Sequence, residues 1–176
     1  MRLVIGLAMS LVAVSSHGAE VEVYARHFTH SCGYYSSTYG ESDVTFRDRN
    51  LGWGTKVTLV HGWEGYVHTG GGPYSVRREF TWRDQGESVM ESVAPFTWRT
   101  RIGRTTHTRS SAQFIEGFDF VFKVEAEGRT YYVNGGNSSR DYYRANLTDP
   151  PHHKPCVRGD ERPDLRHVGV SVVDKP

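Results

Sequence analysis

The sequence predicts an all-β protein, an Ig-like antiparallel β-sandwich closed by one disulfide. Three observations predict it. Beyond residue 19 no stretch repeats its apolar residues at the helical period, whereas alternating stretches recur along the chain. Turn-forming clusters separate them: Gly70-Gly71-Gly72-Pro73, Asn134-Gly135-Gly136-Asn137 and Asp149-Pro150-Pro151. The two cysteines, Cys32 and Cys156, lie far apart in a chain that opens with an export signal.

That signal comes first. Met1-Arg2 is a short positive start, Leu3 to Val14 is almost unbroken in apolar character, and Ser15, Ser16, His17, Gly18 and Ala19 follow. A charged start, an apolar run and small residues are the pattern of a cleaved secretory signal peptide, with cleavage expected after Gly18 or Ala19. The run is shorter than the roughly 20 apolar residues that span a bilayer. Residues 1–19 are therefore read as the signal and 20–176 as one domain, secreted or periplasmic, with no membrane attachment after processing. An oxidising compartment favours a Cys32–Cys156 disulfide. Closing so long a loop contributes about 4–5 kcal/mol in the chain-entropy model.

The strands follow in order. Glu20 to Arg26 and Thr55 to Val60 alternate, the second rich in β-branched residues. Ser75 to Trp82 and Phe96 to Ile102 have the same character. In Phe118 to Ala126, residues Phe118, Phe120, Phe122, Val124 and Ala126 share one face, while Asp119, Lys123 and Glu125 share the other. One oily face at period two is what a half-buried antiparallel strand needs. Glu127-Gly128 supplies the turn, and Arg129 to Val133 returns as the partner strand. Residues 148–165, rich in Pro and charge, are expected to form a surface loop held by Cys156. A last strand is expected over His167 to Val173, with Val168, Val170 and Val172 on one face.

Composition narrows the function. Lys and Arg total 21 against 20 Asp and Glu, so no basic field recruits nucleic acid or an anionic membrane. There is no Gly-x-Ser-x-Gly elbow, no His-Glu-x-x-His and no phosphate-cradling glycine loop before a helix. The expectation is a non-catalytic protein with no cofactor and no metal. Nothing in the sequence marks Glu64, Asp119 or Glu125 as a catalytic carboxylate pair. His27 and His30 precede Cys32, and His152 and His153 precede Cys156, so the disulfide would bring four histidines near one point. The reading adopted is solvated histidines beside a disulfide, because His30 and Cys32 are too close for the usual zinc spacings. Arg77, Arg78, Arg99, Arg101, Arg104 and Arg109 are read as solvent-facing gatekeepers on strands.

Two segments point to a binding function. Phe120-Val121-Phe122-Lys123-Val124, Gly128, Tyr131-Tyr132-Val133-Asn134-Gly135-Gly136 and Asp141-Tyr142-Tyr143 form one, and Lys56 to Trp63 the other. Together they resemble the C-terminal part of starch-binding carbohydrate-binding modules, such as families 21, 25 and 53. The resemblance covers about a third of the chain. Tyr132 stands where those modules usually carry Trp, and Val133 replaces their acidic residue. It implies a sandwich fold and a sugar ligand. The residue types agree with that ligand, because sugars offer flat C–H faces to aromatic rings and hydroxyls to Asn and Asp. The expected binding residues are Trp63, Tyr131, Tyr132, Asn134, Asn137, Asp141 and Tyr142. Trp53 borders a glycine turn in the same way as Trp63. Alternation implies that one of Tyr131 and Tyr132, and one of Tyr142 and Tyr143, faces outward. The second function considered is a secreted protein–protein interaction or inhibitor domain.

Overall fold

The structure is a computed structural model that describes residues 18–32, 35–69, 76–108, 112–136, 138–147, 152–155 and 164–174. Among these residues there is no helix. Twelve strands run in order: β1 (Glu20–Cys32), β2 (Tyr35–Arg47), β3 (Lys56–Thr69), β4 (Val76–Val89), β5 (Glu91–Ala94), β6 (Thr97–Thr108), β7 (Ala112–Ala126), β8 (Arg129–Val133), β9 (Tyr142–Asn146), β10 (His152–Pro155), β11 (Arg166–Val168) and β12 (Val170–Val173). They form two six-stranded sheets. Sheet A has the order β10-β1-β2-β6-β5, with β11 also on β1; sheet B has the order β12-β9-β7-β3-β4, with β8 also on β7. Pairing is antiparallel throughout except between β1 and β10.

The alternation seen in the sequence sets which residues meet. Val23, Val44, Phe46, Trp98 and Ile102 face inward from sheet A. Val57, Leu59, Trp63, Phe118, Phe120, Phe122, Val124 and Tyr143 face them from sheet B. Phe46 of β2 stacks on Phe122 of β7 with centroids 4.2 Å apart, so this ring pair joins the two sheets. Burying each such ring stabilises the fold by about 1.5–3 kcal/mol in transfer terms alone.

The hairpin expected over Phe118 to Val133 is present, with Ala126 opposite Arg129 and both turn residues, Glu127 and Gly128, at positive φ. That is the type I′ geometry whose twist matches the flanking strands. Two expectations need correction. Residues 148–165 are not loop throughout, because His152–Pro155 forms β10 and pairs with β1. The C-terminal strand is two strands in different sheets: β11 pairs with β1, and β12 pairs with β9. Gly169 separates them, and its carbonyl accepts the Asn146 N–H at 3.2 Å. The signal-peptide run at 1–17 and Cys156, hence the expected disulfide, lie outside the described residues.

Candidate functional site

Most of the expected binding residues turn out to be interior. Trp63 is 2% exposed, and its ring packs on Phe118 at 5.5 Å. The reason is parity: positions 57, 59 and 63 lie on the inward face of β3, so Trp63 offers no ring to a ligand. Asn134 and Asp141 are buried and frame their own loop. The Asn134 amide donates to the Ser138 carbonyl at 2.6 Å and accepts from the Gly136 N–H, while Asp141 accepts the Ser138 N–H at 2.8 Å. Asn137 lies outside the described residues.

The tyrosines divide less simply than alternation implies. Tyr131, opposite Val124, packs against the core, and burial raises its phenol pKa. Tyr132, opposite Lys123, is half-buried on the outer face of sheet B. Tyr143 stacks on Phe120 at 5.3 Å in the core, where burial pushes its phenol up to about 12. Tyr142 points the other way and is nevertheless buried, because the Trp82 ring of β4 meets it edge-on at 5.5 Å. Tyr142 thus faces outward, as alternation implies, yet neither Tyr142 nor Tyr143 is exposed.

The outer face of sheet B carries a charged cluster under that aromatic roof. Register puts Gly62, Asp119, Arg144 and Ser171 in one row and Glu64, Gly117 and Asn146 in the next. Arg144 Nε donates to Asp119 Oδ1 at 2.9 Å, and its Nη2 lies 2.6 Å from Glu64 Oε2 and 3.1 Å from the Tyr142 hydroxyl. Asp119 is fully buried. The glycines make the room. A Cβ at Gly62 would come within 2.6 Å of the Trp82 backbone, and one at Gly117 within 3.0 Å of Glu64 Oε1. Burial, first of all, and then the neighbouring Asp119 charge push the Glu64 carboxyl up to about 7.

One end of the molecule presents exposed aromatics. Trp53, on the Gly52-Trp53-Gly54 turn between β2 and β3, is 89% exposed. Its loop is tightly built. Asp48 is buried and accepts the Asn50 N–H at 2.9 Å through its side chain and the Leu51 N–H at 3.3 Å through its carbonyl. Leu51 anchors in the core, and the Thr55 hydroxyl donates to the Gly52 carbonyl at 2.8 Å. The Asp48 N–H donates to the Phe96 carbonyl at 3.1 Å, tying this loop to the β5–β6 turn. Phe96 is exposed there, in the left-handed region at φ 59°. Pairing of Lys56 with Glu125 brings the Glu127-Gly128 turn to the same end. Arg49, Asn50, Glu127 and Arg129 are exposed at this end. The neighbouring glycines marked Trp53 and Trp63 alike, although only Trp53 is exposed, and Phe96 and Trp82 carried no signal.

Among the central arginines, Arg99, Arg101 and Arg104 are each paired with a carboxylate. Arg99 and Arg101 lie on the outer face of sheet A, and both hold Asp43, at 2.6 Å each. Those hydrogen bonds, above all from Arg101, lower the Asp43 pKa. Arg104 contacts Asp84 at 2.6 Å. Among the described residues no three His, Cys, Asp or Glu side chains are grouped to hold a metal. The side chains of His27, His30, His152 and His153 fall outside that description. No family model matches the chain, and no curated protein or solved structure is significantly similar to it. Fold and site together therefore define a class, an all-β protein of two sheets that displays exposed aromatics on a hydrogen-bonded loop.

Proposed function

We propose that this is a secreted, non-catalytic carbohydrate-binding protein of Ig-like sandwich type that stacks its ligand on the Trp53 end. The observation that carries the reading is the Trp53 ring, almost wholly in solvent on a hydrogen-bonded turn. Exposing an indole forgoes a large burial term, and a rigid ring loses little entropy when a flat sugar face covers it. Phe96 extends the apolar surface, and Arg49, Asn50 and Glu127 supply hydrogen-bonding groups around it. The proposal keeps the ligand class that the sequence suggested and moves the stacking surface away from the tyrosine-rich loop. Retention of the purified protein on insoluble starch, chitin, cellulose and peptidoglycan tests it. At least one is expected to retain the protein, and Trp53→Ala is expected to weaken retention roughly tenfold or more with unchanged thermal unfolding. Failure to bind all four polymers would sink the reading.

A protein-binding role is the second reading. The specific observation in its favour is that Val89 and Val93, on β4 and β5, are exposed apolar side chains. Val89 and Val93 are expected to matter for a protein partner and little for a polysaccharide.

The disulfide belongs to the same proposal. In the parallel pair β1–β10, Ser31 stands opposite Pro155, so Cys32 and Cys156 each follow a paired residue directly. Adjacent parallel strands lie about 4.8 Å apart, within the Cα separations that disulfides bridge. A thiol titration of the denatured, unreduced exported protein is expected to find no free thiol, and two after reduction. Two thiols before reduction would remove the bond from the account.

A further inference from the structure

Strand β4 is kinked where it passes the charged cluster. Its pairing with β3 shifts register between His61 and Trp63 and again between Trp63 and Gly65. Trp82 and Asp84 both stand in the left-handed region, at φ 50° and 51°. Side chains other than Gly, Asn and Asp seldom adopt that conformation, and residues held in it persist where surrounding contacts over-determine them. The contacts at this point are specific. The Trp82 backbone sits against Gly62, and the Trp82 ring rests edge-on against Tyr142. The Tyr142 hydroxyl accepts from Arg144, whose guanidinium also holds Glu64. A chain of contacts thus runs from the strained part of an edge strand to a nearly buried carboxyl.

We propose that Glu64, Arg144 and Tyr142 form a proton-operated latch that fixes the kinked part of β4 to the outer face of sheet B. The charged and titratable groups facing Glu64 come from two elements: Asp119 and Glu116 on β7, and Arg144 and Tyr142 on β9. Glu116 is itself held by Arg77 of β4 at 3.3 Å. His61 lies on the opposite, inward face of β3 and contacts Ser88 of β4 at 3.5 Å. With a proton on Glu64, the carboxyl is neutral in a nearly dry place and the Asp119–Arg144 pair is undisturbed. Without it, a second negative charge is confined beside Asp119, and opening of β4 lets water reach it.

The sign follows from proton linkage. The folded protein holds the Glu64 proton more tightly than an unfolded or opened chain does. The stabilisation is therefore complete below an ordinary carboxylate pKa of about 4.5 and is lost as pH rises through about 7. His61 acts oppositely. Burial lowers its pKa, so its contribution is lost as pH falls below 6.5. A comparison at fixed pH between wild type and Glu64→Gln separates the two, because the amide removes the Glu64 titration and leaves His61 in place.

Hydrogen exchange of the 80–89 segment, corrected for the intrinsic pH dependence of exchange, reads the latch directly. In wild type its protection is expected to fall between pH 5 and 7, with a limiting slope of about tenfold per pH unit for one proton. In Glu64→Gln that fall is expected to be absent, leaving only the opposite trend that His61 imposes below pH 6.5, and the 118–133 hairpin is expected to show no fall in either protein. The same slope in Glu64→Gln, or a flat wild type, overturns the proposal. Carbon-13 NMR of the Glu64 carboxyl in the unmutated protein provides a check that does not depend on the variant folding. Titration near neutrality supports the latch, and titration at the ordinary carboxylate value overturns it.

Discussion

Replacing Phe122 by alanine is expected to lower the unfolding free energy by about 3–5 kcal/mol, the range found when a large buried aromatic is truncated. Phe122 is fully buried and touches three rings: Phe46 at 4.2 Å, Phe120 at 5.6 Å and Tyr143 at 5.8 Å. The Phe46 contact crosses between the sheets, so the variant loses ring packing at the place where the two layers meet. Neighbouring side chains relax only partly into such a space, which adds a cavity cost to the lost transfer energy. Denaturant unfolding measures the change, and thermal unfolding is expected to drop by roughly 10 °C for a domain of this size. Phe122→Leu keeps most of the volume and is expected to lose clearly less. Equal losses for the two variants would show that the ring stack itself, rather than occupancy of its volume, carries the contribution.

Replacing Arg144 by alanine is expected to cost a similar amount, about 3–5 kcal/mol, for a different reason. Asp119 is fully buried, and its Oδ1 accepts from Arg144 Nε at 2.9 Å. Taking away the guanidinium leaves a carboxylate in a dry setting without that charge opposite it. Breaking one half of a buried pair costs more than the intact pair contributes, because the remaining charge stays desolvated. This origin fixes a pH signature. The loss is expected to shrink on acidification from pH 8 to pH 5, as Glu64 takes up its proton and no longer needs the guanidinium. Unfolding curves of wild type and Arg144→Ala at both pH values test this. A loss independent of pH would mean that Arg144 acts by packing its aliphatic stem rather than by charge.

Much of the architecture was legible in the sequence because alternation is a local property. Phe118, Phe120, Phe122 and Val124 announced an inward face, and all four are core residues. Glu127-Gly128 announced a two-residue turn, and Ala126 does pair with Arg129 across it. The tertiary site was harder to read. Tyr142 carries the same alternation signal as an exposed residue, yet Trp82, sixty positions earlier, covers it. Asp119 looked like the solvated face of a strand, yet it is fully buried beneath the same roof. Asn134 and Asp141 had the residue types of a sugar site, and their hydrogen bonds close their own loop instead. Residue type names the chemistry a side chain can perform, but which partner it meets depends on strand order and register.

The sequence by itself determined the class of fold, the inward rows of the main strands and the central hairpin. Each of these depends on neighbours within a few residues, where pleat and turn geometry leave little choice. Only the tertiary structure decided that Trp63 is core, that the valine-rich C-terminus splits at Gly169 between two sheets, and that Glu64, Asp119 and Arg144 meet on one face. Those outcomes arise from pairing of strands distant in sequence. A single shift of register would have sent each of these side chains to the other face of its sheet.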